Sequence, residues 1–362
     1  MKLLFFIDTM RGGGAERVMA TLTDELVKRG HDITLVTMFT EEPFYSINKK
    51  IKLIQRKNRV NNAFFYRIKH RFMSFPFIRK TIKEEQPDVI ISFMLRLNSL
   101  VLISSTFLGV PVIASEHSTF DIQLPLMKMF KRYQINKLAH KVTVLTEHDY
   151  NHIRGRLRNV EIMPNPLPFN PIEKYNIDRK KNIIAVGNLD RYKGKGFDNL
   201  IKIWSEIAHL YPDWRLQIAG AGEWKNIKEL ENLANIYNVS RQFEILGPIK
   251  KIDIKLRESS IFVLSSLEEG FGMALIEAMS QGCGCISFDC KAGPNEIITQ
   301  DIDGILVEDQ NMAAMREALV DLIENEEKRE FLATNAIKSV SKFSVRSIVD
   351  KWEILFKEVI TK

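Results

Sequence analysis

Strand-length apolar runs alternate with segments of helical spacing along almost the whole of this 362-residue chain. The apolar runs are Lys2–Ile7, Ile33–Met38, Val89–Phe93, Val110–Ala114, Val142–Leu145, Ile183–Val186, Arg215–Ala219, Phe243–Leu246, Ile261–Leu264 and Cys285–Phe288. The clearest helical segments are Ala15–Arg29, Phe197–Tyr211, Met273–Gln281 and Ser344–Ile360. Alternation of this kind predicts parallel sheets whose two faces are both covered by helices.

One segment interrupts the alternation and divides the chain in two. Four prolines fall within the eight residues from Pro164 to Pro171, and proline is excluded from helix interiors and central strands. We therefore predict two doubly wound, Rossmann-like α/β domains, residues 1–168 and 169–343, with an inter-domain cleft at the carboxyl ends of their strands. The helix at 344–362 is expected to pack back on the first domain.

The composition favours a cytoplasmic protein. No apolar run reaches the roughly 18–20 residues that span a bilayer, and an acid follows the short apolar start at Asp8, where a signal peptide would continue. The three cysteines, Cys283, Cys285 and Cys290, are odd in number and clustered, which fits a reducing compartment. With no histidine nearby, they predict buried thiols and no metal site.

Positive charge is concentrated in the first half of the chain. Residues 1–170 hold 26 Lys and Arg against 15 Asp and Glu, whereas the remainder holds 26 against 30. The stretch from Lys49 to Lys83 contains twelve basic residues, no acid and several interleaved aromatic residues. Such a stretch fits an anionic membrane surface, a solvated helix face or a nucleic-acid site. We favour the membrane, with Arg67, Lys69 and Arg71 on its surface, because no nucleic-acid motif accompanies the stretch.

Two glycine-rich loops each join a predicted strand to a predicted helix. The first contains Gly12, Gly13 and Gly14, and the second runs from Gly187 to Gly196 with Lys193 and Lys195. Glycines let the backbone approach an oxyanion, and the following helix start offers free N–H groups. Each loop alone is also compatible with an ordinary turn.

The most informative motif is Glu269-Gly270-Phe271-Gly272-Met273-Ala274-Leu275-Ile276-Glu277, in which seven residues separate two acids. The backbone N–H groups of Gly272, Met273 and Ala274 would point from the helix start toward an anion. Glu277 lies in an otherwise apolar helix, where an unpaired carboxylate is unfavourable. A pair of vicinal hydroxyls, as on a ribose, would explain its presence.

These motifs together resemble family four of the retaining glycosyltransferases. The E-x-seven-E stretch EGFGMALIEAMSQG is the most specific, and GGGAERV, GNLDRYKGKGFDNLI, QIAGAGE and GPNEII match further family segments in order, over nearly the whole chain. The resemblance implies the GT-B fold, an N-terminal acceptor-binding domain and a C-terminal nucleotide-sugar-binding domain. It further implies retention at the anomeric carbon. No metal or other cofactor is expected, because Lys193, the glycine-rich loops and the helix starts would stabilise the leaving diphosphate and no acidic metal-binding motif is present in the sequence.

The resemblance also implies roles for individual residues. Gly13 and Gly14 would lie under the donor diphosphate, Lys193 would neutralise it, and the N–H groups of Met273 and Ala274 would meet donor oxygens. Glu269 would hold the donor sugar and Glu277 the ribose, while His117, after a predicted strand, would face the reacting sugar. The chain departs from the family at Asn188, where an arginine is usual. Either Lys195 or Arg191 is a candidate to replace that cation.

The expected reaction is transfer of a hexose or N-acetylhexosamine, from UDP by preference, to a lipid-linked or glycan acceptor. The similarity is to bacterial enzymes that build surface polysaccharides or glycoprotein glycans, which implies peripheral association with the inner face of the cell membrane. Nucleic acid is not an expected partner. Two other functions stay open at this point, a nucleotide-sugar epimerase of the same fold and a non-catalytic sugar-nucleotide sensor.

Overall fold

A computed structural model describes residues 1–57, 64–120, 125–175 and 178–361, with the side chains of 64–72, Lys128 and Lys131 excluded. The chain divides into two compact units. Unit 1 comprises Met1–Pro168 and Val345–Lys362, and unit 2 comprises Phe169–Ser344. The proline-rich segment thus contains the division between the units.

Unit 1 is built on a seven-stranded sheet in the order β3-β2-β1-β4-β5-β6-β7, in which every described pairing is parallel. Its strands are β1 (Lys2–Ile7), β2 (Asp32–Thr37), β3 (Lys52–Gln55), β4 (Val89–Phe93), β5 (Val112–Ser115), β6 (Lys141–Val144) and β7 (Val160–Ile162). The central strands β4 and β5 are buried at every position. This burial explains why their sequences are almost wholly apolar.

Helices cover the sheet of unit 1. They are α1 (Gly14–Lys28), α2 (Phe64–Glu85), α3 (Leu95–Ser105), α4 (Leu126–Tyr133), α5 (Glu147–Ile153) and the C-terminal α13 (Val345–Ile360). Arg29, just after α1, donates hydrogen bonds to Asp350 and Glu353 of α13 at 2.5 and 3.1 Å. The end of the chain therefore packs on the helix that follows the first glycine-rich loop.

Unit 2 repeats the same arrangement with six parallel strands, in the order β10-β9-β8-β11-β12-β13. The strands are β8 (Lys180–Val186), β9 (Arg215–Ala219), β10 (Phe243–Gly247), β11 (Ser259–Leu264), β12 (Gly284–Phe288) and β13 (Ile305–Val307). The helices are α6 (Phe197–Ile207), α7 (Trp224–Ile236), α8 (Ile252–Glu258), α9 (Met273–Ser280), α10 (Pro294–Ile297), α11 (Met312–Glu324) and α12 (Glu326–Ser339). The predicted pair of doubly wound α/β domains is confirmed.

In each sheet the strand order reverses direction once. The reversal lies between β1 and β4 in unit 1 and between β8 and β11 in unit 2. Ligands of open parallel sheets bind at such a switch point, beyond the carboxyl ends of the strands. The loops that follow these four strands are therefore the places to look for a site.

Some basic residues of the stretch from Lys49 to Lys83 form contacts within unit 1. Lys52 forms an ion pair with Glu85 at 2.6 Å, and buried Arg56 donates to the Ser74 hydroxyl at 2.7 Å. Arg79 donates to backbone carbonyls at the end of α3. The side chains of the three residues predicted to face a membrane, Arg67, Lys69 and Arg71, lie outside the described part of the structure.

Candidate active site

The switch point of unit 2 brings a lysine and a glutamate from two loops into contact. Lys195, in the loop after β8, places its Nζ 2.6 Å from Oε1 of Glu269, in the loop after β11. The Ser266 hydroxyl donates to the same carboxylate oxygen at 2.6 Å. Both charged side chains are largely buried, so the pair is shielded from solvent more than a surface ion pair would be.

Backbone contacts hold these two loops together. The Ser265 hydroxyl donates to the Lys195 carbonyl at 2.8 Å, and the Leu267 amide donates to the Gly194 carbonyl at 3.0 Å. Gly196 has φ +63°, and a Cβ there would lie 1.9 Å from the Ser265 carbonyl oxygen. Only glycine permits this approach, so Gly196 has a structural reason to follow Lys195.

The other basic residues of the loop do not form an ion pair with Glu269 within the described residues. Lys193 is exposed, its Nζ 5.8 Å from the Tyr192 ring centroid, and it has no ion pair within the described residues. Arg191 pairs with Glu268 at 3.5 Å near the surface. Asn188 accepts a hydrogen bond from the Asp190 amide through Oδ1 at 2.7 Å, which stabilises the turn. Of the cations singled out in the sequence, the structure therefore brings Lys195 to Glu269.

Helix α9 begins beside this pair. Gly272 adopts φ +102° at its N-cap, and Met273 and Ala274, its first two residues, keep some exposed surface. Amides of a first helical turn have no intrahelical acceptor, and the helix start carries partial positive charge. One turn further on, Glu277 is only 3% exposed. The arrangement offers N–H donors for an anion and a buried carboxylate for hydroxyl groups.

The first glycine-rich loop of unit 1 has a carboxylate against it. Gly13 is the N-cap of α1 and Gly14 its first residue, and a Cβ on Gly13 would lie 2.4 Å from Oε2 of Glu16. Oε1 of Glu16 accepts from the Thr9 hydroxyl at 3.1 Å, and burial raises the pKa of this carboxyl. Arg96, at the start of α3, forms an ion pair with Asp8, just after β1, at 2.6 Å. Two carboxylates of the protein, those of Glu16 and Asp8, therefore lie at this switch point.

His117 lies just beyond β5, as the sequence predicts. Its Nε2 is 3.1 Å from the Ser115 hydroxyl, and its ring centroid is 4.2 Å from that of Phe93. The residue keeps some exposed surface, but its Nδ1 is buried and has no hydrogen-bond partner within the described residues. Burial lowers the pKa of His117 to about 3. The imidazole is therefore neutral at physiological pH.

A buried polar network fixes the loop that carries His117. Glu116 accepts hydrogen bonds from the side-chain amides of Asn98 and Asn136, at 3.1 and 3.0 Å, and lies 3.6 Å from the Arg132 guanidinium. Arg132 in turn donates to the Thr119 carbonyl at 3.0 Å. These partners come from α3, α4 and the turn after α4, and no local sequence pattern associates them with His117.

The three cysteines are remote from solvent. All are free and buried, and burial raises the pKa of Cys283 to about 11 and that of Cys290 to about 12. Thiols in this state are poor nucleophiles and poor metal ligands. Among the described residues, no group of three or more histidine, cysteine, aspartate or glutamate side chains is arranged to hold a metal ion.

Comparisons with known proteins assign both halves of the chain. Residues 12–170 match the model of Glycosyltransferase Family 4, and residues 170–339 match that of Glycosyl transferases group 1. The amylovoran biosynthesis glycosyltransferase AmsD of Erwinia amylovora is 33% identical over 97% of this chain and 98% of its own length. A Campylobacter jejuni α-1,4-N-acetyl-D-galactosaminyltransferase that acts on an undecaprenol-linked glycan is 26% identical over 99% of both chains.

Solved structures agree on the fold. Sucrose-phosphate synthase from Thermosynechococcus elongatus superposes with a TM-score of 0.85 at 16% identity, over 100% of this chain and 99% of that one. Anabaena HepE in complex with UDP gives 0.79 at 16% identity, over 99% of this chain and 100% of that one. With these folds, the two family matches and the AmsD identity, the chain belongs to the family four glycosyltransferases of GT-B fold.

Proposed function

We propose that this protein is a retaining glycosyltransferase that moves a hexose or N-acetylhexosamine from a UDP-sugar to a lipid-linked or glycan acceptor. The observation that carries the proposal is the grouping of Lys195, Glu269, Glu277 and the start of α9 at the switch point of unit 2. A cation, free amides and two carboxylates suit the diphosphate, sugar hydroxyls and ribose of one ligand.

The proposed chemistry depends on stabilising the charge that develops on the leaving diphosphate. As the bond from the anomeric carbon to the phosphate oxygen breaks, Lys195 and the amides of Met273 and Ala274 stabilise that charge. The acceptor oxygen bonds to the anomeric carbon on the same face, and the leaving phosphate takes the acceptor proton. Lys195 is already charged and the amides are already oriented, so no metal ion is required in this mechanism.

The remaining residues are assigned to parts of the substrates according to the unit in which they lie. Glu269 accepts hydrogen bonds from hydroxyls of the transferred sugar, and its pairing with Lys195 places sugar and phosphate contacts side by side. We assign His117 to a sugar hydroxyl, with which a neutral imidazole forms a hydrogen bond. Because the Glu16 carboxylate lies against Gly13, we assign the donor diphosphate to unit 2 and not to Gly13 and Gly14. Unit 2 thus holds the nucleotide sugar and unit 1 the acceptor.

The class of acceptor is proposed from the relatives. Two of them, both from Campylobacter jejuni, are named for acting on glycans linked to undecaprenol through a diphosphate, and AmsD is named for amylovoran biosynthesis. We infer that this chain acts in bacterial polysaccharide or glycoprotein glycan assembly, at the inner face of the cell membrane. None of the described helices is both long and apolar enough to cross a bilayer. Because the relatives named for undecaprenol act on lipid-linked glycans, we propose that the chain associates with the membrane through the surface of unit 1.

A donor screen tests this function. The purified chain is incubated with UDP-, GDP- and ADP-sugars, with and without an undecaprenyl-diphosphate glycan acceptor, and released nucleotide and sugar products are measured. A transferase releases nucleotide faster with acceptor than without it. Interconversion of sugars without acceptor would identify an epimerase. Binding with neither product would identify a sensor, and either of these results contradicts the proposal.

A further inference from the structure

Met94, which joins β4 to α3, has an unusual backbone conformation. Its φ is +78° and its ψ is +135°, outside the left-handed helical region that side chains occasionally adopt. Two hydrogen bonds hold it there, because its amide donates to the Ser115 carbonyl at 3.0 Å and its carbonyl accepts from the Asn98 amide at 2.9 Å. One residue therefore ends the strand pairing and begins the helix. Glycine is the residue that such a conformation favours, since a Cβ adds strain.

Packing in the core does not explain why a methionine is strained at this position. Met94 is 38% exposed, whereas Phe93 before it and Leu97 after it are fully buried. A residue needed only for the core would be buried, and a residue needed only for the turn would be glycine. Strained residues with side chains concentrate at ligand sites, where the surrounding structure holds them. The side chain of Met94 therefore indicates a ligand.

Polar groups lie at the same strand ends as Met94. Ser115, whose carbonyl accepts from the Met94 amide, places its hydroxyl 3.1 Å from Nε2 of His117. Nδ1 of His117 is buried and has no hydrogen-bond partner within the part of the chain that the structure describes. Arg96, two residues after Met94, is partly exposed and pairs with Asp8 at 2.6 Å. One exposed methionine is too small an apolar surface for a protein interface, but it suits a small ligand with apolar and polar sides.

A pyranose ring has this combination of surfaces. Its C–H groups form an apolar face, and its hydroxyl groups form a polar edge. The thioether of methionine is flexible and polarisable, so that it adapts to an irregular apolar surface. Sites for small molecules commonly combine apolar side chains with a few placed polar groups. Sugar binding therefore accounts for both the exposed side chain of Met94 and the hydrogen-bonding groups near it.

We propose that Met94 contacts the apolar face of the acceptor sugar, and that its strained backbone holds this contact beside His117. The inference rests on the proposed function and deepens it, because unit 1 is there assigned to the acceptor. Met94 is thus a specificity-determining residue, which favours acceptors that end in a sugar over a lipid diphosphate that carries none.

Two glycine variants form a matched test. Phe107, just beyond the other end of α3, is 97% exposed and also has a positive φ, +62°. Glycine tolerates both conformations, so both variants should fold. Met94→Gly should raise the KM for a soluble acceptor, a farnesyl-diphosphate-linked N-acetylgalactosamine disaccharide, about tenfold with little change in kcat. Phe107→Gly should transfer like the wild type. An unchanged acceptor KM in Met94→Gly, or an equal rise in Phe107→Gly, overturns the proposal.

Met94→Leu separates the side chain from the backbone conformation. Leucine keeps both the strain and an apolar side chain of similar size, so its acceptor KM should stay within about threefold of wild type. A purely structural role predicts instead that the leucine and glycine variants differ in urea denaturation and share one acceptor KM. A common acceptor KM for the two variants, whether raised or unchanged, therefore contradicts the sugar contact.

Methyl NMR measures the contact without turnover. In protein with ¹³C-labelled methionine methyl groups, the Met94 signal is identified by its loss in Met94→Leu. This methyl should show nuclear Overhauser effects to ring C–H protons of the bound disaccharide. Binding without these effects, or no binding to the wild type, overturns the proposal. These effects without transfer from any nucleotide sugar would reject the proposed function alone, whereas transfer with an unchanged acceptor KM in Met94→Gly would reject this inference alone.

Discussion

The two units share one strand order but place different chemistry at its reversal. In unit 2, Lys195 and Glu269 meet beside the start of α9, whose first amides have no helical acceptor. In unit 1, Glu16 lies against the first glycine-rich loop and Asp8 is paired with Arg96. The same topology therefore places the first amides of a helix beside a lysine at one reversal, and a carboxylate against a glycine-rich loop at the other.

Strand order thus locates a binding site without specifying its ligand. Both reversals satisfy the rule for open parallel sheets. Among the described residues at the two reversals, it is unit 2 that combines a largely buried lysine, the first amides of a helix and a buried glutamate. Unit 1 offers a neutral histidine held by a buried polar network. We accordingly assign the charged diphosphate to unit 2 and glycan hydroxyls to unit 1.

The largest expected effect distinguishes two lysines of one loop. Lys195→Ala should lower turnover by about 10²–10³, the scale for losing one transition-state electrostatic contact. Lys193→Ala should stay close to wild type, because Lys193 is exposed and forms no ion pair within the described residues. Nucleotide release with saturating acceptor measures both. A large loss in Lys193→Ala with a small one in Lys195→Ala would reverse the assignment.

The next largest effect is expected on membrane binding, because the basic stretch at 49–83 lies in unit 1. Arg67→Ser/Lys69→Ser/Arg71→Ser should weaken binding to anionic vesicles about a hundredfold, since each surface cation contributes about 1 kcal/mol there. The loss should shrink at raised salt, because screening weakens surface charges. Transfer to a soluble acceptor analogue should be largely retained.

A control removes the same charge from unit 2. Lys225, Lys228 and Lys250 are exposed there, and replacing all three with serine changes the net charge of the chain equally. Vesicle co-sedimentation should show little change for this control. Similar losses in both triple variants would mean that only total charge matters, and the basic stretch would then be an ordinary solvated face.

A smaller effect follows from the neutral state of His117. The unfolded chain takes up this proton near pH 6.5, whereas the folded protein does so only near pH 3. Between these values, falling pH favours the unfolded state and lowers the free energy of unfolding. Partial exposure of the ring reduces the full linkage, so we expect about 1 kcal/mol per pH unit.

Urea denaturation of wild type and His117→Asn from pH 7 to pH 4 measures this linkage. The variant should lose stability less steeply than the wild type as the pH falls, because position 117 no longer binds a proton. Parallel pH dependence in the two proteins would show that His117 takes up its proton at the same pH in the folded and the unfolded chain, and the effect assigned to its burial would then be wrong.

The sequence predicts the central strands well and the edges poorly. The predicted bounds of β1, β4 and β9 match the structure, because those runs are buried and nearly continuous. Three strands, β3, β7 and β13, were not predicted. They lie at sheet edges and have three or four residues each, so that burial imposes little apolar pattern on them.

The site was predictable only where its parts are close in sequence. The spacing of Glu269 and Glu277 is local, and the structure places both near the start of α9 as expected. The choice between Lys193 and Lys195 is not local, because it depends on where Gly196 meets Ser265 across two loops. The network around Glu116 joins residues 16 to 20 positions apart, for which the sequence offers no signal.

Calorimetric titration of two variants tests whether unit 2 holds the nucleotide sugar in the orientation proposed. Glu277→Ala should bind both bare UDP and the UDP-sugar about ten- to hundredfold more weakly, since a carboxylate that accepts ribose hydrogen bonds is lost. Glu269→Ala should bind bare UDP like the wild type and only the UDP-sugar more weakly. Equal losses for both ligands in both variants, or unchanged UDP binding in Glu277→Ala, would contradict this orientation of the nucleotide sugar.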